Sequence, residues 1–453
     1  MARRVNEEIR AFLQAHPTTR FVDAVTFNLN GEAVGKRYPI GDLDKVMASG
    51  LFFCPASTLV DVRGVTRDVA GLGFSDGDPD CLGRAIPGTL VPVPWASVPT
   101  AQFQFSLRDP EGPGGWWSDP RTVLTLVVET LAESGLRPMV ACELEFYLVD
   151  PVRDASGALR VPAPPHGGRV NDGPRVSSFA KLDEFGDFLA DVDAACAVQG
   201  IPVGAASAEY GAGQYEINLH HTDDPVLACD HASLLRRVIK GVARTRGLDA
   251  TFMSKPFEDR AGSGFHVHMS LLDPAGDNVF DERRDGGETR LRHVIGGLRT
   301  TAYEAMGLFA PNINAYRRFS PDSFVPANRS WGENNRSVAF RVPRSGPAAR
   351  RIEHRLAGAD ANPYLLMAAL LAGAHHGLTE HLDPGPPATG NASARADPDM
   401  PATLWTALGR MRDAAVLPPY FGQRYWDAYV EVKSIEFESF MKQVFTREYD
   451  WYL

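Results

Sequence analysis

Short alternating patterns of apolar and polar residues dominate the first hundred positions and predict a small α/β unit. Apolar residues recur either at helical spacing or at every second position. The predicted helices are residues 6–16 and 43–49, and the predicted strands are residues 21–29, 33–39 and 86–95. Asn30-Gly31 is a hairpin turn signal, and the prolines of 86–95 suit an edge strand. A Pro/Gly-rich stretch at 110–115 predicts a domain border.

Longer elements alternate from residue 120 onward. The predicted helices are residues 121–134, 185–199, 230–246 and 363–377, and the clearest predicted strand is residues 140–149. Residues 383–401 are rich in Pro, Gly, Ala and Asp, which predicts an exposed loop. These patterns predict two domains, residues 1–110 and residues 111–453.

Composition narrows the class of protein. The chain has 453 residues, of which 44% are hydrophobic and 23% are charged, as in ordinary globular proteins. A net charge of −10 argues against nucleic acid as a partner. The longest apolar run, residues 365–374, is too short to cross a membrane. Five widely spaced cysteines without a C-x-x-C pair indicate a reduced cytoplasmic protein with buried thiols.

Several predicted strands carry polar side chains at every second position. Successive side chains of a strand point to opposite faces, so such residues share one face. The residues that share a face are Glu143 with Glu145, His266 with His268, and Arg351 with Glu353 and Arg355. Arg336 and Arg341 add two cations, and Glu209 and Glu216 flank a glycine-bearing loop.

Each of these patterns has an ordinary structural explanation when it is taken alone. A polar strand face is usually solvated, and a row of alternating charges is usually a weak surface salt bridge. Together, five glutamates and a histidine are donors that suit hard cations such as Mg²⁺ or Mn²⁺. Arginine binds phosphate and carboxylate groups through its planar fork. The combination favours phosphoryl transfer from a nucleotide.

The order of these motifs resembles the type I glutamine synthetase family over nearly the whole chain. The motifs are Glu143-x-Glu145-Phe146, Glu209-x6-Glu216, Gly262-Ser-Gly-x-His266-x-His268-Met-Ser270, Asn335-Arg336-Ser-x-x-x-Arg341 and Arg351-Ile-Glu353-x-Arg355. The resemblance implies an α+β fold, with a small N-terminal β-grasp domain before a large catalytic domain. That catalytic domain has a curved antiparallel sheet flanked by helices. A dodecamer of two hexameric rings, with active sites shared between neighbouring subunits, is also implied.

The resemblance assigns roles to individual positions in a site for ATP, two or three Mg²⁺ (or Mn²⁺) ions and L-glutamate. The first metal would be held by Glu145, Glu209 and Glu216, and the second by Glu143, His266 and Glu353. The phosphates would lie near His268 and Ser270, and the nucleotide or transferring phosphoryl group near Arg336, Arg341 and Arg351. Glutamate would be bound by Arg318, Arg355 and the loop at Gly262.

The chain departs from glutamine synthetases where those enzymes bind ammonium. Their flap has the form Gly-Tyr-Glu-Ala-Pro, whereas the matching residues 322–326 place Phe324 at the glutamate position. A benzyl ring cannot accept a proton, but it can cover the carbon tail of a primary amine. This stretch resembles the branch that makes γ-glutamylpolyamines and other γ-glutamylamides. Asp80, with Asp78 as the alternative, is the expected base for the amine.

The predicted function is therefore the ATP-dependent joining of the γ-carboxylate of L-glutamate to a primary amine through γ-glutamyl phosphate. A polyamine, ethanolamine or an alkylamine fits this prediction, and the sequence does not choose among them. Two alternatives stay open: a true glutamine synthetase that uses ammonia, and a non-catalytic protein of the same fold. The second is disfavoured because all six expected metal positions carry ligand residues.

Overall fold

The secondary structure comprises short strands and longer helices in the order of an α+β protein. The computed structural model describes residues 2–165, 167, 173, 175–320 and 324–453. The strands are β1 (Phe21–Phe27), β2 (Ala33–Pro39), β3 (Leu51–Phe53), β4 (Cys81–Ala85), β5 (Val91–Pro92), β6 (Thr100–Leu107), β7 (Arg137–Val149), β8 (Val203–Ala208), β9 (Gln214–Leu219), β10 (Asp249–Thr251), β11 (Phe265–Leu272), β12 (Trp331–Glu333), β13 (Phe340–Val342) and β14 (Ile352–His354).

The helices include every segment for which the sequence predicts one. They are α1 (Ala2–Ala15), α2 (Leu43–Ala48), α3 (Pro120–Glu133), α4 (Phe179–Glu184), α5 (Gly186–Gln199), α6 (Pro225–Thr245), α7 (Gly287–Phe309), α8 (Pro363–Thr379), α9 (Leu404–Arg412), α10 (Pro418–Phe421), α11 (Gln423–Met441) and α12 (Thr446–Tyr452). Their boundaries differ from the predicted ones by a few residues, as expected for pattern-based assignment. The predicted α+β class is confirmed.

The first sheet is built around β1 and β6. Its strand order is β2-β1-β6-β4-β3, with β5 also paired to β6, and β1 runs parallel to β6. The β1–β2 hairpin turns at Gly31, whose φ of 72° lies in the left-handed region that glycine tolerates best. Helix α1 buries Val5, Ile9 and Phe12 in the apolar cluster of this sheet, because their spacing places them on one helix face.

The predicted strand at 86–95 is much shorter in the structure. The regular ladder is confined to Val91–Pro92, which lie opposite Gln102 and Ala101 of β6, and single hydrogen bonds from the N–H groups of Ile86 and Val93 flank it. Proline has no backbone N–H to donate to a neighbouring strand, so the proline-rich remainder cannot extend the ladder.

The second sheet has β7 near its centre. Its order is β12-β13-β14-β11-β7-β9-β8, with β10 also paired to β7, and its pairs are antiparallel except β12 with β13. Leu144, Phe146 and Leu148 are fully buried on the core face of β7. The same large apolar cluster contains side chains of α3, α6, α7 and α8. The opposite face of β7 is left for Glu143 and Glu145.

A buried ionic group ties the helices of this core together. Arg121 at the start of α3 forms a two-pronged pair with Asp230 of α6, at 3.0 and 3.1 Å. The hydroxyl of Tyr364 in α8 donates to the same carboxylate at 2.7 Å. Three helices are therefore held in register by one carboxylate.

Most residues of the loop at 383–401 are exposed, as its composition predicts, but a few of them anchor it to the protein. It contains a single short helical turn, yet Ser393 is buried and donates to the carbonyl of Ser337 at 3.1 Å. The amide of Asn328 donates to the carbonyl of Ala392 at 2.8 Å. These hydrogen bonds fasten the loop against the segment that precedes β13.

The boundary between the predicted domains stays a prediction. One apolar cluster runs from Val5 to Leu107, but Val25 and Phe27 of β1 belong to the larger cluster of the second sheet. The first sheet thus buries side chains in both clusters. In the described part of the chain, no helix is long and apolar enough to cross a membrane.

Replacing Asp230 with alanine tests the importance of the buried ionic group. The change leaves the Arg121 guanidinium without its carboxylate, so we expect the free energy of unfolding to fall by about 3–5 kcal/mol. Asp191→Ala, which removes the exposed partner of Arg246, is the control and is expected to lose about 0–1 kcal/mol. Urea unfolding of both variants measures the difference, and equal losses would contradict the account.

Candidate active site

Strand pairing gathers the acidic and imidazole side chains on one face of the second sheet. The directly opposed residues are Glu143 with His266, Glu145 with Glu216, and His268 with Glu353. Side chains of opposed residues point to the same face and lie next to each other. Strands from four distant parts of the chain, β7, β9, β11 and β14, therefore supply one site.

Glu143 is the centre of this cluster. Its carboxylate lies 2.9 Å from Nε2 of His268 and 3.5 Å from Nδ1 of His266. Two groups of possible metal ligands have their donor atoms within 4.8 Å of one another: Glu143 with His268 and Glu353, and Glu143 with Glu216 and His266. Glu143 belongs to both groups.

The two groups divide the predicted ligands differently from the sequence analysis. Glu353 lies with His268 rather than with His266, and Glu145 and Glu209 fall outside both groups. Glu145 instead accepts a hydrogen bond from the backbone N–H of Gly264 at 2.8 Å. The assignment of the six residues to individual metals stays a prediction.

Crowding of like charges changes the protonation of the cluster. Burial, followed by repulsion from Glu143 and Glu145, raises the pKa of Glu216 to about 9. Burial and the charge of Glu145 raise the pKa of Glu209 to about 7. Both carboxyl groups therefore hold protons at pH values where an ordinary glutamate is ionised. A bound divalent cation would favour their ionised forms, because it would supply the missing positive charge.

Glu353 differs from Glu209 and Glu216, because its pKa is lowered rather than raised. Burial tends to raise its pKa, but neighbouring cations, with Arg355 foremost, lower that pKa to about 2. Nη1 of Arg341 donates to one carboxylate oxygen of Glu353 at 2.7 Å, and Nη1 of Arg355 donates to the other at 2.5 Å. Glu353 is therefore an ionised carboxylate in a fixed orientation.

Arg351 orients His268. Its Nε donates to Nδ1 of His268 at 3.2 Å, so that nitrogen is an acceptor. The remaining ring proton is then on Nε2, which lies 2.9 Å from Glu143. The predicted phosphate contact His268 is thus part of the carboxylate cluster in this structure.

Arg318 lies beneath the glycine loop rather than open to solvent. It is buried, and its Nη1 donates to the carbonyl of Leu356 at 2.8 Å. A Cβ atom at Gly262 would lie 2.7 Å from Cγ of Arg318 and 2.7 Å from the carbonyl oxygen of Ser254, so a larger residue would clash there. The predicted contact of Arg318 with glutamate stays a prediction.

Three other predicted site residues have no direct contact with the cluster in the described part of the chain. Asp80 is exposed just before β4 of the first sheet, and neighbouring Asp78 accepts a hydrogen bond from the Cys54 thiol at 2.7 Å. Ser270 is buried on β11, two residues beyond His268. Arg336 is exposed, but its charge lowers the pKa of Glu209, which places it near that carboxylate.

Phe324 lies over the edge of the site. Its ring is 57% exposed, and its centroid is 6.0 Å from that of Tyr210, with the planes tilted by 31°. Tyr210 directly follows Glu209. Residues 322 and 323 of the predicted flap lie outside the described residues. An aromatic pair therefore stands beside one of the predicted metal ligands.

Sequence reasoning missed two residues of this site, Gln214 and Tyr210. The side-chain amide of Gln214 donates to the carbonyl of Gly262 at 3.0 Å and to Glu145 at 3.3 Å, and its oxygen accepts from the N–H of Gly211 at 2.9 Å. Its position two residues before Glu216 is the signal that could have revealed it. No pattern in the sequence distinguishes Tyr210.

Comparisons with known proteins show which family the chain resembles. The family model "Glutamine synthetase, catalytic domain" matches residues 117–452. The chain is 37% identical to gamma-glutamylputrescine synthetase of Escherichia coli K12, over 99% of this chain and 94% of that protein. It is 31% identical to a glutamate–isopropylamine ligase of a Pseudomonas species, over 94% and 93% of the two chains. A solved structure titled "Apo GmaS without ligand" superposes with a TM-score of 0.82 at 24% identity, covering 97% of each chain.

Replacing Gln214 with leucine tests how the glycine loop is held. The variant loses the hydrogen bonds to Gly262 and Glu145, so we expect a loss of about 1–3 kcal/mol in the free energy of unfolding and weaker binding of Mn²⁺. Gln199→Leu removes another buried glutamine, whose side-chain amide donates to the backbone carbonyl of Pro92 and not to the carboxylate cluster. This control should lose stability without losing Mn²⁺ affinity. Equal Mn²⁺ affinities in both variants, measured by calorimetry, would refute the role of Gln214.

Proposed function

The chain belongs to the glutamine synthetase family, and we propose that it is an ATP-dependent ligase that joins the γ-carboxylate of L-glutamate to a primary organic amine. Two relatives that align over nearly the whole chain are named for amide formation with putrescine and with isopropylamine. The carboxylate cluster and its arginines suit the activation of a carboxylate by phosphoryl transfer.

The aromatic pair of Phe324 and Tyr210 is the observation that favours an organic amine over ammonia as the substrate. Ammonium needs carboxylates around it, because an unpaired cation loses solvation when it is buried. An aromatic wall at this point instead covers hydrocarbon, which stabilises a bound amine by about 0.8 kcal/mol per buried CH₂ group. The faces of the two rings also attract the cationic form of an amine as it approaches.

The residues of the cluster fit hard divalent cations. Carboxylates and imidazoles are ligands of Mg²⁺ or Mn²⁺, and burial together with the neighbouring carboxylates raises the pKa of Glu216. We assign two or three such ions to Glu143, Glu145, Glu209, Glu216, His266 and Glu353. When bound, the ions would neutralise the phosphate and carboxylate oxygens that react.

The chain's own residues would position the substrates in two steps. Arg336 and Arg351 offer guanidinium groups to the phosphates of ATP, while Arg341 and Arg355 keep Glu353 oriented. In the first step a γ-carboxylate oxygen of glutamate bonds to the γ-phosphorus of ATP, and ADP leaves. In the second step the amine nitrogen bonds to the carbon of the γ-carboxyl group, and the bond from that carbon to the phosphate oxygen breaks.

Asp80 is proposed to take the proton that an ammonium group must lose before it can attack. Asp80 is exposed on the first sheet and makes no contact with the cluster of its own chain among the described residues. It would therefore act in the site of a neighbouring subunit. This requirement supports the proposed dodecamer of two hexameric rings, and we place the enzyme in the cytoplasm.

Phosphate release measured with ATP, Mg²⁺, glutamate and a panel of amines tests the proposal. We expect turnover with putrescine, ethanolamine or a short alkylamine, and little turnover with ammonia. Rapid turnover with ammonia alone would instead identify a glutamine synthetase. Glu353→Ala should abolish release, because it removes a fixed ligand carboxylate, and wild-type rates in that variant would refute the assignment.

Substitution of each residue of the aromatic pair tests its role in amine binding in the same assay. Tyr210→Ala should raise KM for the best amine about 3- to 10-fold, equivalent to roughly 0.7–1.4 kcal/mol of lost contact. Phe324→Glu should lower the KM for ammonia, because it restores a carboxylate. Phe179→Ala, which truncates an exposed ring on α4, is the control and should leave both constants unchanged. Unchanged constants in all three variants would contradict the aromatic wall.

A further inference from the structure

A large cavity is lined by residues of both predicted domains, and none of the predicted metal ligands lines it. Its volume is about 1190 Å³, and it is bounded by the turn of the β1–β2 hairpin, by α6, by residues 311–314 and by α11. Cavities that hold small ligands in proteins are usually about 300–1,000 Å³. The cavity is therefore large enough for an entire small molecule.

Basic side chains outnumber acidic ones in its wall. The acidic residues are Glu32, Asp360 and Glu436, and the basic residues are Arg63, Arg236, Arg237, Lys240, Arg244 and Lys433. Several of the cations have their own partners: Arg63 pairs with Asp61 at 2.9 Å, Arg237 with Asp23 at 3.1 Å, and Lys433 with Glu436 at 3.1 Å. The cations without such a partner are therefore the ones available to a bound anion.

Arg236 is the most unusual of them. Its side chain is buried, and its Nη2 donates to the carbonyl of Ala361 at 2.7 Å, while Nε has no hydrogen-bond partner. No carboxylate forms an ion pair with it in the described part of the chain. The rings of Phe252 and Phe265 lie 5.6 and 5.3 Å from its guanidinium carbon. Burial lowers the pKa of Arg236 to about 10, although the charge of Asp360 in the same cavity wall opposes that shift.

Lys240 stands one helical turn after Arg236 on α6, so both cations face the same side of the helix. Among the described residues it also has no ion pair, and its ammonium lies 5.9 Å from the centre of the Phe252 ring. Lys240 is exposed to solvent at the rim of the cavity, and partial desolvation, followed by the charge of Arg236, lowers its pKa. Asp360 and Glu32 act on these cations through space, but neither forms an ion pair with them among the described residues, so the two cations offer a position for an anionic group.

The rest of the wall is largely apolar. Phe252, Met253, Ile313, Phe437 and Phe440 line it together with the two cations. We propose that this cavity binds a small organic anion, with its carboxylate or phosphate at Arg236 and Lys240 and its apolar body against these side chains. An anion bound here would form a direct ion pair with Arg236, and the apolar wall adds the gain from hydrocarbon burial.

The cavity is also connected to the carboxylate cluster through hydrogen bonds. Asp360, in its wall, accepts from the hydroxyl of Ser254 at 2.7 Å. The carbonyl of Ser254 accepts from the N–H of Ser263 at 2.9 Å, and the next N–H in the chain, that of Gly264, bonds Glu145. An anion that displaces Asp360 would therefore shift the glycine loop, so the site is expected to regulate glutamate binding.

Fluorescence titration of the full chain with 8-anilinonaphthalene-1-sulfonate, an anion with an aromatic body, tests the site. We expect one saturable site per chain that phenyl phosphate displaces, and that neither benzyl alcohol nor saturating Mg²⁺-ATP displaces. Lys240→Met should weaken binding about tenfold, as should Arg236→Met if that variant folds. Arg246→Met is the control, because it removes a cation just after α6 that lies outside the cavity.

Displacement of the probe by Mg²⁺-ATP would overturn the proposal, since the probe would then occupy the nucleotide site. Unchanged affinity in folded Lys240→Met would overturn it as well. The titration contains neither glutamate nor amine, so its result does not depend on the proposed reaction. Phenyl phosphate should change the KM for glutamate in the wild type and not in Lys240→Met. An equal change in both would overturn the regulatory connection.

Discussion

Repulsion among carboxylates on one sheet face is the constraint to which the rest of the site is adapted. The pairing of β7 with β9 and β11 places Glu145 opposite Glu216 and Glu143 opposite His266, so these groups cannot move apart without breaking the sheet. Burial, together with this crowding, raises the pKa of Glu216. Divalent cations relieve it, and the same cations are what phosphoryl transfer needs. The carboxylates that repel one another in the metal-free site are therefore the same groups that would bind the cations needed for phosphoryl transfer.

The surrounding residues hold the crowded groups in place. Arg341 and Arg355 fix Glu353, Arg351 orients His268, and Gln214 connects Glu145 to the glycine loop. Several arginines that the sequence suggests as substrate contacts thus have structural partners within the protein. Held by such partners, the site keeps its geometry before substrates arrive, which limits the reorganisation that catalysis requires.

The sequence predicted the family, the fold class and the shared strand faces, because period-two motifs such as Glu143-x-Glu145 depend on local geometry alone. It did not predict that Glu353 groups with His268, because register between distant strands is set by the whole sheet. The contact of Phe324 with Tyr210, and the burial of Arg236 with an Nε that has no hydrogen-bond partner, are tertiary features that no local pattern records. The resemblance identifies Phe324 as a departure from glutamine synthetases, whereas its contact with Tyr210 is visible only in the structure.

Calorimetric titration of Mn²⁺ into the metal-free protein tests the central claim most directly, since it needs no substrate. The account predicts at least two ions per chain, and it predicts that Glu143→Gln weakens more than one of them, because Glu143 belongs to both ligand groups. Glu431→Gln, which neutralises an exposed glutamate on α11, should leave the titration unchanged. Full stoichiometry and wild-type affinity in Glu143→Gln would contradict the account.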